Sequence, residues 1–348
     1  MDLPADVNFF RKNTEDHSMK KEILESLPFN LRSAMMGLSP DIWSGMEEIR
    51  LRVNQPLMIY VLNRDLLLDG KGAICFDAAK AYKVTKTDIE KTFQLIVDYS
   101  PYALEEEIRN GFITIRGGHR IGISGSIVMQ GSSIKTIKDI CGLNIRIARQ
   151  KIGISDPFME YIVSSSNGFY NTLIVSPPQC GKTTLLRDII RNLSNGMKRP
   201  NFVGFKVGVV DERSEICGMY QGVPQNDVGM RTDVLDACPK AEGIMMLIRS
   251  MSPQIIATDE IGKTEDVLAV KEALNAGIKL ITTVHGRDME EICRRPSLRP
   301  LMHQDIFERI IILSNIPRVG TVQSILDGKS KSSVLSQFAK GRRCEGVG

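Results

Sequence analysis

Apolar and polar positions alternate along the first half of the chain in a pattern that is typical of antiparallel strands. Residues 48–63 contain two apolar runs, and Asn54-Gln55-Pro56 between them predicts a hairpin turn. Residues 112–123, with Gly117-Gly118 at their centre, predict a second hairpin, and residues 144–149 predict a further strand. We therefore expect an antiparallel sheet in this half.

Helical patterns lie between these strands. Residues 23–36 have a helical pattern that Pro28 interrupts. Residues 87–99 repeat apolar residues at helical spacing, with Thr87 as the predicted cap, and residues 104–110 predict another helix. The combination predicts an α+β domain.

The pattern changes near residue 153, after which apolar strands alternate with helices. The expected strands are 173–176, 207–210, 255–258, 278–284 and 307–313, and the expected helices are 182–193, 241–251 and 264–276. Such alternation predicts an α/β domain with a mainly parallel sheet. We expect four segments: a polar arm over 1–25, the α+β domain over 26–152, the α/β domain over 153–328, and a basic, disordered tail over 329–348.

Composition narrows the class of protein. Of 348 residues, 42% are hydrophobic and 25% are charged, which is a globular composition, and the net charge of +4 is too small to indicate a nucleic-acid coat protein. Seven scattered cysteines without a CxxC pair indicate neither a disulfide framework nor a zinc ribbon. The N-terminus has no apolar signal core, and the longest uncharged stretch, 161–181, is broken by polar residues and prolines. We expect a soluble cytoplasmic protein, with peripheral membrane contact left open.

A phosphate-binding loop is predicted between the strand 173–176 and the helix that begins at Lys182. The Walker A pattern requires Gly, Lys and Ser or Thr in sequence, and Gly181, Lys182 and Thr183 supply them. Lys182 would contact the β- and γ-phosphates and Thr183 would hold Mg²⁺. The expected nucleotide-binding residues are Pro178, Gln179, Cys180, Gly181, Lys182, Thr183 and Thr184. The first Gly position holds Ser176, whose Cβ would restrict a positive φ. The alternative is a simple helix cap.

A Walker B strand is predicted at 254–260. It is apolar and ends in two carboxylates, Asp259 and Glu260. Asp259 would join the Mg²⁺ shell, and Glu260 would polarise the attacking water. The alternative is a strand followed by a solvated acidic turn.

Two further strands end in polar residues. The strand before Asp211 leads into an acidic cluster over 211–215, and the strand 278–284 ends at His285, which could hydrogen-bond a γ-phosphate. Parallel strands bring their carboxyl ends to one sheet edge, so these residues are expected beside the phosphate loop. A surface charge cluster and a structural histidine are the alternatives.

These motifs resemble the secretion ATPases of type II and type IV systems. Residues 210–216 (VDERSEI) resemble the family's acidic box, with Glu215 at the position of its catalytic Glu. Ile261 follows Glu260 as in the family's Glu-Ile signature, and Thr283-Val284-His285 resembles its His box. More narrowly, the strings at 112–123, 222–243 and 248–262 resemble the stage III sporulation protein AA family, and the resemblance extends over about 25–328.

The resemblance implies a fold, a reaction and an assembly. It implies a RecA-like P-loop ATPase core that uses ATP and Mg²⁺, with Glu260, Glu215, Lys182 and His285 as catalytic residues and Thr183 and Asp259 as metal ligands. It also implies a homo-hexameric ring motor that acts on membrane-embedded components of a sporulation channel. Ser176 and Gln179 stand where this family has Gly, so weaker nucleotide binding or slower ATP turnover is an alternative expectation.

Rings of this family need a cation from the amino-terminal domain at the γ-phosphate of a neighbour. The candidates are Arg116, Arg120, Arg146 and Arg149, with Arg231 and Arg249 as alternatives. Exposed arginines that balance nearby acids are an equally good interpretation of each.

One further basic stretch and two rival functions are compatible with the same sequence. The basic stretch after the His box, 287–299, is interpreted as a solvated face. A nucleic-acid-linked P-loop ATPase is one rival function, although no aromatic-rich basic strand supports it, and no nucleic-acid partner is expected. A nucleotide-gated scaffold with little turnover is the other rival.

Overall fold

The computed structural model describes residues 18–98, 104–164 and 168–335. These residues divide into two compact units. Unit 1 contains the described residues up to Arg149 together with Gly218–Gln225. Unit 2 contains Gln150–Cys217 and the described residues from Asn226 onward.

The helices within the described residues are short to medium in length. They are α1 (18–25), α2 (Phe29–Met36), α3 (Pro40–Gly45), α4 (Lys86–Ile96), α5 (Glu105–Arg109), α6 (Met159–Ile162), α7 (Lys182–Asn195), α8 (Lys240–Ser250), α9 (Thr264–Asn275), α10 (Met289–Arg294) and α11 (Arg299–His303). No helix in this part of the chain is both long and apolar enough to span a bilayer.

The strands form two large sheets and two small hairpins. They are β1 (Met46–Arg52), β2 (Met58–Val61), β3 (Arg64–Leu68), β4 (Ile74–Cys75), β5 (Phe112–Ile115), β6 (His119–Gln130), β7 (Ser133–Arg146), β8 (Thr172–Ser176), β9 (Met197–Lys198), β10 (Asn201–Phe202), β11 (Val207–Asp211), β12 (Met219–Tyr220), β13 (Val223–Pro224), β14 (Thr232–Asp236), β15 (Ile255–Glu260), β16 (Lys279–His285), β17 (Arg309–Ser314) and β18 (Thr321–Asp327).

Unit 1 is built on an antiparallel seven-stranded sheet in the order β4-β3-β2-β1-β7-β6-β5. Ile49 and Leu51 on β1 are buried, whereas Arg50 between them is partly exposed, as the alternation predicts. The buried side packs in one core with residues of α1, α2 and α4. Helices cover one face of this sheet and leave the other face open, which explains why the strands of this unit are easy to recognise in the sequence.

The predicted cap of α4 is wrong. The helix begins at Lys86, and Thr85 is the N-cap because its extended backbone lets its side chain accept from the Asp88 N–H. Asp88 in turn accepts from the Thr85 N–H, which completes a capping box. Thr87 is already inside the helix, and the predicted end at Tyr99 lies outside the described residues.

The two strands after Gly117-Gly118, β6 and β7, extend much further toward the turn that joins them than the sequence pattern predicts. β6 continues to Gln130 and returns in β7 from Ser133. At the other end β7 stops at Arg146, so Arg149, which was predicted to lie on this strand, lies beyond its end. Arg116 lies in a turn after β5 and not on a strand.

Unit 2 is built on a seven-stranded sheet in the order β14-β11-β15-β16-β8-β17-β18. All neighbours are parallel except β17 and β18. The predicted strands and helices of this half are all present, with ends within two residues of those expected. The sequence pattern missed the two edge strands, β14 and β18.

Three chain segments depart from the expected organisation. Gly218–Gln225 forms the β12–β13 hairpin of unit 1, and Gln225 accepts from the Gly117 N–H at 2.8 Å. Residues 18–25 of the expected arm form α1, and 1–17 lie outside the described residues. Of the expected tail, residues 329–335 return Val334 to β18, where its N–H donates to Ile325, and 336–348 lie outside the described residues.

Candidate nucleotide site

The loop between β8 and α7 has the backbone of an anion-binding turn. Gln179 and Gly181 both have positive φ, at 61° and 82°. No side chain caps the N-terminus of α7, so its first N–H groups face the loop without a side-chain acceptor. The positive end of this 14-residue helix adds favourable potential for a phosphate.

The substitution at Ser176 does not strain the loop. Ser176 is the last residue of β8, it is fully buried, and it does not have a positive φ, so the restriction considered from the sequence does not arise. Gln179 is the residue with a side chain in the left-handed region, which is unfavourable by roughly 1–2 kcal/mol for a residue other than Gly. Any cost of the unusual sequence therefore lies at Gln179.

Lys182 is buried at the start of α7 and makes several polar contacts. Its Nζ donates to the carbonyl oxygens of Ser176 and Pro177, each at 3.1 Å, and lies 2.7 Å from His285 Nδ1. Burial lowers the pKa of Lys182, and the negative charge of Glu260 acts in the opposite direction. The ammonium is thus held at the base of the loop.

His285 links Lys182 to the Walker B strand. β16 lies between β8 and β15, which places His285 opposite Ser176. His285 Nε2 lies 2.9 Å from Glu260 Oε2. Because the Lys182 ammonium donates to Nδ1, Nε2–H is left to donate to the Glu260 carboxylate. Lys182, His285 and Glu260 therefore form one hydrogen-bonded row across three elements, here called the Lys-His-Glu row.

Asp259 faces a different cation. It is buried, and its Oδ1 lies 2.9 Å from the Nζ of Lys240, the first residue of α8. Glu212 binds the same ammonium. Burial raises the pKa of Asp259, while Lys240 lowers it. Burial also lowers the pKa of Lys240, but Glu212 and Asp259 outweigh it and the net shift is upward. Lys240 was not predicted from the sequence, because its only local signal is a lysine after Pro239 at a helix start.

The loop that carries Glu215 is fixed from two sides. Buried Asp211 accepts from the N–H groups of Glu215, Ile216 and Cys217 at 2.8–3.0 Å. Arg187 of α7 donates to the carbonyl oxygens of Glu215 and Ile216. Burial raises the pKa of Asp211 to about 6. Asp211 and Arg187 thus hold the backbone around Glu215, and the negative charge of Glu215 helps to raise the pKa of Asp259.

The remaining predicted loop residues lie where the sequence places them. Cys180 is buried and its thiol donates to the Pro178 carbonyl at 3.6 Å. Thr183 and Thr184 occupy the first turn of α7 and are partly exposed. Thr183 therefore lies at the end of α7 that adjoins the loop.

A cavity of 660 Å³ adjoins the loop within unit 2. Its walls are Gly181, Thr184 and Leu185 of the loop and α7, the segment between Lys151 and Phe158, and Pro317–Val322 between β17 and β18. The loop and the β17–β18 connection are in close contact, since a Cβ on Gly181 would lie 3.4 Å from Gly320 Cα. The volume is in the range of small-ligand pockets. No motif in the sequence pointed to this connection.

Four of the six arginines proposed as trans cations have contacts within their own units. Arg149 donates to the carbonyl oxygens of Met46 and Trp43 in unit 1. Arg231 donates to Ser194 O at 2.9 Å in unit 2. The Arg120 guanidinium lies 3.8 Å from the Phe112 ring centre, and Arg146 lies 3.9 Å from Glu48. Arg116 and Arg249 are exposed. In the basic stretch, Arg294 and Arg295 pair with Glu290 and Glu291 on α10.

Comparison with known proteins connects this geometry to a family. The family model described as "Sporulation stage III, protein AA" matches residues 17–333. Stage III sporulation protein AA of Bacillus subtilis (strain 168) is 42% identical over 323 residues, which cover 93% of this chain and 99% of that protein. The crystal structure of the pilus retraction motor PilT with bound ADP aligns with a TM-score of 0.52 at 14% identity, covering 88% of this chain and 85% of that one.

The likeness to PilT shows a shared fold, and the predicted RecA-like α/β fold class is confirmed. The family match and the identity to the Bacillus subtilis protein both extend over nearly the whole chain. The chain belongs to the family of sporulation stage III protein AA.

Proposed function

We propose that the protein is a Mg²⁺-dependent ATPase that works as a homo-hexameric ring motor and powers a secretion-type channel during sporulation. The Lys-His-Glu row carries the proposal, because it places a lysine and a carboxylate beside an uncapped helix N-terminus. A triphosphate needs such a combination of amide donors, an ammonium group and an acidic residue that can orient water.

The residues of unit 2 fit a metal–nucleotide complex. The N–H groups of Gln179 to Thr184 would surround the phosphates, and Lys182 would contact the β- and γ-phosphates. Thr183 and Asp259 supply hydroxyl and carboxylate oxygens, which are the ligands that Mg²⁺ prefers. Bound Mg²⁺ would neutralise phosphate charge. The cavity beside Gly181 and the β17–β18 connection is the expected place for the base.

Nucleotide binding is expected to rearrange the Lys-His-Glu row. Lys182 now donates to two carbonyl oxygens and to His285, so it must exchange some of these contacts for phosphate oxygens. His285 is then free to donate to the γ-phosphate, and Glu260 is released to hold the attacking water together with Glu215. Arg187 and Asp211 would keep the Glu215 loop in place during this exchange.

The names of two relatives support a motor that works in sporulation. PilT is named as a pilus retraction motor, and the Bacillus subtilis relative is named as a sporulation protein. The assembly is proposed from the resemblance of the sequence motifs to secretion ATPases: the protein would act as a ring at the cytoplasmic side of a membrane, on membrane-embedded channel components, with a cation from a neighbouring subunit at each γ-phosphate.

Single-turnover hydrolysis tests the catalytic assignment. Glu260→Gln is expected to lower the hydrolysis rate at least about a hundredfold while ADP binding, measured by calorimetry, is kept. Exposed Glu265 on α9 provides the matched control, Glu265→Gln, which should hydrolyse at the wild-type rate. Equal rates for Glu260→Gln and wild type would remove the catalytic assignment.

Binding and assembly are tested separately. Lys182→Ala is expected to abolish nucleotide binding, whereas Lys198→Ala at an exposed position should not change it. ATP is expected to shift the wild type to a ring on a sizing column. Tight binding without turnover in the wild type would favour the nucleotide-gated scaffold, for which the strained φ of Gln179 is the supporting observation.

A further inference from the structure

The ends of β6 and β7 form a two-stranded ribbon over residues 124–139, here called the β6–β7 ribbon. β5 pairs with β6 only up to Gly122, and β1 pairs with β7 only from Gly142. Between these points the two strands pair with each other and with no other described strand. Ile137 is partly buried and packs against the core of unit 1, so the base of the ribbon is anchored and its far end is a two-stranded extension of the sheet.

One face of the ribbon is apolar and exposed. Cross-strand partners share a face, and here Ile127 pairs with Ile137 and Met129 pairs with Ile134. The exposed fractions of Ile127, Met129 and Ile134 are 49%, 54% and 38%. Single exposed apolar residues are ordinary on protein surfaces, whereas three that lie side by side on one face make this face a candidate interaction site.

The charge around this face is mainly positive. From 108 to 138 the sequence contains no Asp or Glu, and Asp139, the last residue of the ribbon, is the ribbon's one acidic residue. The cations in the same stretch are Arg109, Arg116, Arg120, Lys135 and Lys138. Lys135 and Lys138 lie on the ribbon itself and are exposed. Lys138 pairs with Ser126 and therefore lies on the face opposite Ile127 and Ile137, where its long side chain can reach the strand edge. An apolar face with lysines at its edge and on its reverse side fits a lipid surface whose interior is apolar and whose headgroups are negative.

We propose that the β6–β7 ribbon inserts its apolar face into the headgroup region of an anionic lipid bilayer. Ile127, Met129 and Ile134 would enter the interface, while Lys135 and Lys138 would contact lipid phosphates. This contact goes beyond the proposed ATPase function and needs no nucleotide.

Two other partners fit the ribbon less well. A stable protein–protein interface takes about 20–30 residues on each side, which is more than the ribbon contains. A single-stranded nucleic acid needs aromatic side chains on which its bases stack, and residues 124–139 contain none.

Vesicle sedimentation of the full-length protein tests the proposal. The wild type is expected to bind vesicles that contain phosphatidylglycerol and not vesicles of phosphatidylcholine alone. Lys135→Gln/Lys138→Gln should lower the partition coefficient about thirtyfold, from about 1 kcal/mol for each lysine. Ile127→Ser/Met129→Ser/Ile134→Ser should lower it at least tenfold.

Matched controls lie elsewhere in unit 1. Lys80→Gln/Lys83→Gln removes two exposed charges, and Phe76→Ser removes an apolar side chain that is 93% exposed. Both should bind like the wild type. Met129→Trp adds a reporter of insertion, since its emission should shift to the blue with anionic vesicles, whereas the native Trp43, the chain's only tryptophan, is buried.

Several results would overturn the proposal. These are no binding by the wild type, binding by the ribbon variants equal to that of the wild type, an equal loss in the lysine control, or an unshifted Met129→Trp spectrum. Concentration-dependent dimers that the serine variant abolishes, without vesicle binding, would assign the ribbon to a second copy instead.

Circular dichroism and urea unfolding of each variant exclude misfolding as the cause. ATP hydrolysis without vesicles is expected to be unchanged, so failure here leaves the ATPase proposal standing.

Discussion

Replacing Lys240 with Met removes the ammonium group that Asp259 and Glu212 share. Lys240 is 6% exposed, and its Nζ lies 2.9 Å from Asp259 Oδ1. Removal of one partner of a buried ion pair costs about 3–5 kcal/mol, because the remaining charge is left without compensation. We expect Lys240→Met to lower the free energy of unfolding at neutral pH by this amount.

The pH dependence of the loss follows from Asp259. Burial already raises the pKa of Asp259, and Lys240 is the main influence that lowers it. Without Lys240 the folded state holds the Asp259 proton more tightly, so the stability of the variant falls as pH rises above the unfolded pKa near 4. The difference between variant and wild type should therefore be smaller in acid than at neutral pH.

Urea denaturation measures these differences. Lys86→Met is the matched control, because its partner Glu90 is 3.8 Å away in an exposed pair that contributes at most about 1 kcal/mol. The double variant Lys240→Met/Asp259→Asn should lose less stability than the sum of the single variants, since neither residue is then left charged and unpaired. A loss below about 1 kcal/mol for Lys240→Met, or strict additivity, would refute the reasoning.

Two further outcomes are expected in unfolding experiments. Thr85→Ala should lower the free energy of unfolding by about 1 kcal/mol because the capping box with Asp88 is lost, and an equal effect of Thr87→Ala would contradict the cap assignment. Folding raises the pKa of Asp211 from 3.8 to about 6, so protonation of Asp211 favours the folded state below about pH 4. This contribution to the free energy of unfolding, roughly 3 kcal/mol, is lost as the pH rises through about 6. Asp211→Asn should lower stability overall but flatten the Tm–pH curve over this interval, and an unchanged slope would refute the shift.

The strands that could be predicted from the sequence are those with one face or both faces buried in the core. The alternation around Ile49 and Leu51 is readable because helices cover only one face of the unit 1 sheet. The apolar runs of β8 and β15 are readable because both faces are buried. The edge strands β14 and β18 and the β6–β7 ribbon were missed, since partly exposed strands carry a weaker hydrophobic period.

The sequence by itself determined the central strands and main helices of unit 2, and it placed the candidate residues at the start of α7 and at two strand ends: Lys182, Asp259, Glu260 and His285. Periodicity and spacing are local properties, and the phosphate loop, the acidic pair and the histidine each lie within one short segment. Only the tertiary structure decided that His285 lies between Lys182 and Glu260 and that Lys240 faces Asp259. Those neighbours depend on the order of parallel strands in the sheet and on where α8 packs, which are set by long-range packing that no local period encodes.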